Sequence, residues 1–217
     1  MIKLEGVRKS YESGEVRALK DVTLKIDEGE VVSLMGPSGC GKSTLLNILG
    51  MLDRADGGKT LIADHPIDSY SPGYRYRREM VGMVFQFHHL IPALSLLENV
   101  VLPLQPLRST TAVKKSKAAA LLESCGLAHR LEFDPRRVSG GERQRAAVAR
   151  ALVNDPRILL ADEPTGSLDS QTGKALIKFM LEYCRKRTIT VLLVTHDSAI
   201  ARMADRALHM SDGRILK

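Results

Sequence analysis

The sequence predicts an α/β protein: a parallel-sheet core, an antiparallel β subdomain at the N-terminus and an inserted helical subdomain. Three observations carry that expectation. The runs "ILLAD" (Ile158 to Asp162) and "TVLLVT" (Thr190 to Thr195) are continuously apolar over a strand's length, and each follows a helical pattern. Strands covered by helices on both faces read this way. A third apolar run, "VVSLM" (Val31 to Met35), passes through a glycine-rich turn directly into a helical pattern. Finally, the chain changes to mostly helical character between about Gln86 and Asp155. Of the 217 residues, 44% are hydrophobic and only 4% aromatic, with no Trp, so the core must be aliphatic.

Taken in order, "MIKLEGV" and "DVTLKI" alternate apolar with polar residues, as half-exposed strands do. "DEGE" (Asp27 to Glu30) reads as a turn into "VVSLM". The loop "GPSGCGKST" follows, and then "KSTLLNILGML", with Leu45, Leu46, Leu49 and Leu52 at helical spacing. Gln86, in "VFQFHHL", sits at a strand end. From there residues 87–155 are expected to form the helical insert, leaving 1–86 and 156–217 as the core. Within the insert, "KKSKAAALLESCGL" is amphipathic, with Ala and Leu on one side and Lys on the other. "VSGGERQ" (Val138 to Gln144) runs a serine and two glycines into a helical pattern, a way to build an anion seat from backbone N–H groups and helix dipole. The tail "MSDGRILK" has the Asp-Gly turn of a hairpin.

Composition narrows the function classes. The net charge is +7, but the basic residues are scattered and not interleaved with aromatics, so no nucleic-acid platform is expected. Three cysteines, Cys40, Cys125 and Cys184, lack paired or metal-ligand spacing, which points to a reducing compartment. Adjacent His88 and His89 lack a ligand set's spacing. No apolar core of a signal peptide or membrane span is seen, so the expectation is a soluble cytosolic chain that reaches a membrane through another chain.

Two stretches carry chemistry. Gly36, Gly41, Lys42 and Ser43 satisfy G-x-x-x-x-G-K-[ST] between a strand and a helix. Glycines let the backbone wrap phosphates, Lys42 reaches the β- and γ-phosphates, and the Ser43 hydroxyl coordinates Mg²⁺. In "ILLADEPTG", Asp162 closes a buried strand and can hold Mg²⁺, while Glu163 can deprotonate an attacking water.

"GPSGCGKST", "SGGERQ", "ILLADE", "SLD" (Ser167 to Asp169) and "VTHD" (Val194 to Asp197) occur in that order. The set resembles the ATP-binding cassette (ABC) ATPases over nearly the whole chain. The resemblance implies a P-loop NTPase core of RecA-like type and ATP as substrate with Mg²⁺. It places the nucleotide against Gly36, Pro37, Ser38, Gly39, Cys40, Gly41, Lys42, Ser43 and Thr44. Gln86 matches the Q-loop glutamine that contacts Mg²⁺ and links core to helical insert. His196 matches the histidine that contacts the γ-phosphate, and Tyr11 the aromatic that stacks on adenine; the alternative for Tyr11 is an exposed strand aromatic. In this family two copies pair head to tail. Ser139, Gly140 and Gly141 would then complete the partner's site, and Asp169 would lie in a loop touching the opposite subunit. Val138 and Glu142 depart from the family's commoner Leu and Gln.

"FQFHHLIPALSLLENV" and "EPTGSLD" are similar to the subgroup of macrolide exporters, lipoprotein-releasing ATPases, haem exporters and the cell-division ATPase. That likeness implies an integral-membrane permease with about four transmembrane helices per subunit, contacted at the cytoplasmic face of the membrane through the segment after Gln86. The expected function is the ATP-hydrolysing subunit of such a complex, driving export or mechanical transmission. A non-transport complex is the alternative, in cell-division signalling or, less readily, on DNA. DNA-associated relatives insert long coiled coils or zinc modules between the Q-loop and the signature, and the span from Gln86 to Ser139 is too short for one.

Overall fold

The computed structural model describes residues 1–216. Among the described residues the chain forms two sheets and seven α-helices. β1 (Ile2–Tyr11) and β2 (Val16–Ile26) form a long antiparallel pair, joined on the far side of β1 by β4 (Gly57–Ile62) and the two-residue β5 (His65–Pro66). The alternation in β1 is reset once. Ile2 and Leu4 are buried, Gly6 takes a positive φ of 60°, and Val7 returns to the core opposite Val22. This bulge inserts an extra residue on β1, so the strand keeps one apolar face despite its length.

The second sheet is the core. β3 (Val31–Met35), β8 (Thr190–Val194), β7 (Ile158–Asp162) and β6 (Val81–Val84) run parallel in that order, and β9 (Arg206–Ser211) lies parallel to β3 on its other side. β10 (Arg214–Leu216) closes the edge as the second arm of the hairpin expected from Asp212-Gly213. Alternate residues of each central strand face different layers. Val32, Leu34, Leu160, Leu192 and Val194 pack with the antiparallel sheet and α1 (Lys42–Leu49), whereas Val31, Leu159, Ala161, Val191 and Leu193 pack with the helices on the other face. Burial on both faces is why these strands read as unbroken apolar runs.

Those helices are α3 (Leu96–Val101), α4 (Thr111–Ser124) and α5 (Gly140–Leu152), all between β6 and β7, followed by α6 (Ser170–Arg185) after β7. Two short helices, α2 (Gly73–Glu79) and α7 (Ser198–Ala201), complete the chain. α3 and α5 begin with the same device. Ser95 and Ser139 each accept a hydrogen bond from the N–H three residues on, while Glu98 and Glu142 accept one from the cap's own N–H.

Two details differ from the sequence reading. The first helix stops at Leu49, where Gly50 leaves helical geometry (φ −84°, ψ 0°) and Met51 turns left-handed (φ 51°); Leu52 lies beyond it, exposed. In α4, Lys114 is not on the solvent side. Its stem is buried and its ammonium donates to the Gln105 carbonyl at 3.0 Å, the behaviour of a long amphipathic side chain.

Candidate functional site

The turn from β3 to α1 is dictated by close backbone approaches. A Cβ on Gly36 would lie 2.1 Å from the Met210 carbonyl oxygen, and one on Gly41 would lie 2.4 Å from that of Ala18. Gly41 also has φ of 108°, a conformation that side-chain-bearing residues avoid. Only glycine fits either place. Inside the turn the buried Lys42 ammonium donates to the carbonyls of Gly36 and Pro37, both at 2.8 Å, and lies 3.7 Å from Cys40 Sγ. An ammonium buried without partners would cost several kcal/mol, so these acceptors are what let it sit at the helix start. Gly36, Pro37 and Cys40 thus form the back of the loop, and Ser38, Gly39, Gly41, Lys42, Ser43 and Thr44 form its open face.

The parallel strands bring three more groups to the same end of the sheet. Asp162 is the last residue of β7, Gln86 follows β6, and His196 follows β8. Burial pushes the Asp162 carboxyl above its ordinary range. The neighbouring Ser43 hydroxyl and Lys42 ammonium oppose that push, and Glu163 reinforces it. Glu163 has a left-handed backbone, φ 43°, held by its N–H donating to the Val194 carbonyl at 3.0 Å. This strained conformation turns its carboxylate out of the strand direction, to 3.3 Å from His196 Nδ1. Gln86 packs against Gly166, where a Cβ would meet the Gln86 amide nitrogen at 3.0 Å.

The raised Asp162 pKa makes a stability prediction. An acid whose folded pKa lies above its unfolded value favours the fold below the unfolded pKa, and that contribution is lost as pH rises through the folded pKa. Asp162→Asn removes the buried charge. Without nucleotide or Mg²⁺ the variant is expected to melt higher than the parent at pH 7, by at most about 2 °C because solvent screens the half-buried carboxylate. The gap should close as pH falls through the carboxylate range. Equal melting at both pH values, read by calorimetry, would show that the carboxylate bears no such penalty.

Lysine loop, Asp162, Glu163 and Gln86 line one cavity of about 830 Å³, and Tyr11 stands at its rim. The Tyr11 hydroxyl donates to Asp53 Oδ2 at 2.6 Å, Lys9 donates to Asp53 Oδ1 at 2.8 Å, and the Lys9 ammonium lies 5.1 Å from the ring centroid. The ring is therefore a fixed platform. Lys9 and Asp53, which fix it, were not singled out from the sequence. Nor were Arg17 and the ion pair of Lys20 with Asp212 (2.7 Å), which border the cavity from β2 and the β9–β10 turn. Their only sequence signal is a basic and acidic residue spaced far apart along the chain.

Ser139, Gly140 and Gly141 are not part of that cavity's lining. They begin α5 on a separate surface beside the Ser167–Asp169 turn. A Cβ on Gly141 would lie 3.2 Å from Thr172 Cγ2, and one on Gly140 would lie 3.9 Å from the Ser167 carbonyl oxygen. Asp169 caps α6, its Oδ1 accepting from the N–H groups of Gln171 and Thr172. The first N–H groups of α5 have no intrahelical acceptor by helix geometry. With the Ser139 hydroxyl they make an exposed donor set. One side chain ties this helix to the cavity: buried Gln144 donates to the Phe85 carbonyl at 2.9 Å, next to Gln86.

The donors on offer suit a nucleotide phosphate with Mg²⁺. A hydroxyl, a carboxylate and an amide are hard oxygen ligands, the type Mg²⁺ takes when phosphates supply the rest of its shell. Among the described residues no group of three or more His, Cys, Asp or Glu is placed to hold a metal by itself.

Comparison with known proteins bears on this geometry. The family model described as "ABC transporter" matches residues 19–166. The chain is 44% identical over 219 residues to the lipoprotein-releasing system ATP-binding protein LolD of Xanthomonas axonopodis pv. citri, covering 99% of this chain and 90% of that protein. Among solved structures it superposes on the dimeric structure of MJ0796, described as a bacterial ABC transporter cassette. The TM-score is 0.93 at 41% identity, covering 100% of this chain and 97% of the other. A dimeric post-hydrolysis state of MJ0796 bound to ADP and Pi matches with a TM-score of 0.92 at 40% identity, with the same coverage.

Proposed function

The chain belongs to the ABC transporter family and is an ATP-binding subunit with ATPase activity; from that premise we propose that two copies pair head to tail and share both nucleotide sites. The observation that carries this reading is a separation. The donor set of Ser139, Gly140 and Gly141 lies outside the cavity that Lys42, Asp162 and Glu163 line in its own chain. A second copy turned head to tail would bring that set to the open side of the cavity. The dimeric MJ0796 cassettes support the pairing.

In the shared site, the 38–44 turn wraps the phosphates with backbone N–H groups, and Lys42 exchanges its carbonyl partners for β- and γ-phosphate oxygens. The adenine lies on Tyr11. Ser43, Asp162 and Gln86 would hold Mg²⁺, which would supply positive charge to the phosphates. Glu163 takes the proton of the attacking water, and His196, 3.3 Å from it, orients that water and contacts the γ-phosphate. Ser139, Gly140 and Gly141 of the second copy stabilise the charge that develops there. ADP alone lacks the group that both halves grip, so release of the cleaved phosphate loosens the dimer.

The work is delivered to a separate membrane protein. No described helix is long and apolar enough to cross a membrane. The exposed Phe87 and Ile91, just after Gln86, suit the cytoplasmic coupling helix of a permease with about four transmembrane helices per subunit. Residues 87–155 act as an arm against the core of 1–86 and 156–217, at the cytoplasmic face of the membrane, coupling closure to export or mechanical transmission. The lipoprotein-releasing name of a relative at 44% identity supports export.

A site assembled from two chains has a kinetic signature. Turnover per chain at saturating ATP is expected to rise with chain concentration and to level off once the dimer forms. Turnover per chain that stays constant from nanomolar to micromolar protein, in a coupled ATPase assay, would argue for a site complete in one chain.

A further inference from the structure

The proposed reaction leaves the acidic residue of the signature stretch without a task. Glu142 closes the capping box of α5, its Oε2 accepting from the Ser139 N–H at 2.8 Å. A glutamine could accept the same hydrogen bond through its amide oxygen, so the cap needs the shape and not the charge. The charge is nevertheless present. The Ser139 N–H holds the Glu142 carboxyl below the usual carboxylate range, and Arg130 adds to the effect. It also sits within one helical turn of the Ser139 hydroxyl and the free N–H groups of Gly140 and Gly141, where a second negative charge would be held.

Among the described residues Glu142 has one counter-ion. Its Oε1 accepts from Arg130 Nε at 3.3 Å, and both side chains are mostly buried. Arg130 is fixed from its other side, the guanidinium lying 4.5 Å from the centroid of the Phe133 ring. The backbone around it is pinned to the start of α3, where Leu96 and Leu97 donate to the carbonyls of Phe133 and Leu131 at 3.0 and 2.8 Å. The pair is thus built into the fold beside the donor set.

We propose that Glu142 and Arg130 are positioning residues that set how tightly the Ser139 loop grips the γ-phosphate, by balancing charge beside it. The proposal rests on the shared-site reading above. With both residues present their two charges cancel; Arg143 and Arg145, whose guanidinium nitrogens lie 3.9 and 3.8 Å from where a Cβ on Gly140 and on Gly141 would sit, add a constant positive background. Without the carboxylate, Arg130 is left as a net positive charge that favours the phosphate; without Arg130, Glu142 repels it. The consequence is a brake, in which the closed state is held loosely enough to reopen after each turnover.

The test is ATP-driven dimerisation of the full chain with Mg²⁺, measured by sedimentation with hydrolysis blocked by Glu163→Gln. In that background Glu142→Gln is expected to tighten the dimer about tenfold and Arg130→Gln to weaken it about tenfold. The double variant should return to within about threefold of the parent, and both single effects should shrink as salt is raised. Arg130→Lys, which keeps the charge, should stay close to the parent, and melting curves report whether each variant folds. A merely structural pair predicts weakening by both single substitutions, without salt dependence. A parent that dimerises while Glu142→Gln leaves its affinity unchanged or weaker overturns the pair alone. A parent that stays monomeric in ATP overturns the shared site and this proposal with it.

Discussion

Glu163→Gln is expected to lower ATP turnover by about 10²- to 10⁴-fold while leaving the ATP-bound dimer intact or longer-lived. The substitution is isosteric. The features that place residue 163 are its left-handed backbone, the hydrogen bond from its N–H to the Val194 carbonyl and the bond from Gly166 N–H to its own carbonyl. None depends on the carboxylate. What changes is proton affinity: an amide cannot take a proton from water, and it cannot pair with a protonated His196 across the 3.3 Å gap. In the proposed shared site, binding and closure depend on Lys42, the backbone of the turn and the Ser139 loop, which the variant keeps. A chain carrying Glu163→Gln that turns over within tenfold of the parent, or that is monomeric in ATP and Mg²⁺ at high protein concentration, would remove Glu163 from the role of general base or undo the shared site. Activity measured with the membrane partner present is the stricter form of the same test.

Why Glu163 could be picked out from sequence, and Lys9 or Asp53 could not, is a matter of how far each signal reaches along the chain. The turn after β3, Asp162 and Glu163 at the end of β7, and the Asp-Gly hairpin are local patterns, recognisable in a few adjacent residues even where distant contacts fix their geometry. Buried strands β7 and β8 announce themselves as apolar runs because both faces are covered. The segment 52–85 was not legible. β4 opens with Gly57 and Gly58, β5 has two residues, and α2 is "GYRYRRE", whose only buried member is Tyr76. None of these offers a period to read; their places come from tertiary contacts, such as Arg77 donating to the Met51 carbonyl at 2.7 Å and Tyr76 to that of Leu49 at 3.0 Å. Tyr11 shows the same limit at the site. Its sequence neighbours are weak evidence for a platform, and the clamp on its hydroxyl comes from a residue 42 positions away. Glu142 is the opposite case: its place in the motif was visible, and its partner Arg130 was not.

Chains carrying Lys42→Ala and chains carrying Ser139→Arg are each expected to be inactive alone, yet to recover activity when mixed. Lys42→Ala removes the cation proposed to reach the phosphates. Its removal leaves the Gly36 and Pro37 carbonyls, each 2.8 Å from the ammonium in the parent, without that donor in a turn that borders the open cavity. Ser139→Arg puts a long side chain on an exposed cap, costing about 1 kcal/mol of helix stability, and fills the space above the Gly140 and Gly141 N–H groups. Both variants should fold, as melting curves would show. In a mixed dimer one site collects both defects. The other takes its lysine loop from the Ser139→Arg chain and its donor set from the Lys42→Ala chain, and is intact. Random pairing at equal amounts makes half the dimers mixed, each with one good site of two, so turnover should reach about a quarter of the parent's if sites act independently. Coupling between sites lowers that figure without abolishing it. Recovery demands that one site draw on two chains, because no exchange of halves can repair a site built within a single chain. A mixture as inactive as its components, under conditions where exchange between the two variants is demonstrated by cross-linking, would mean that the Ser139 loop does not complete the partner's site.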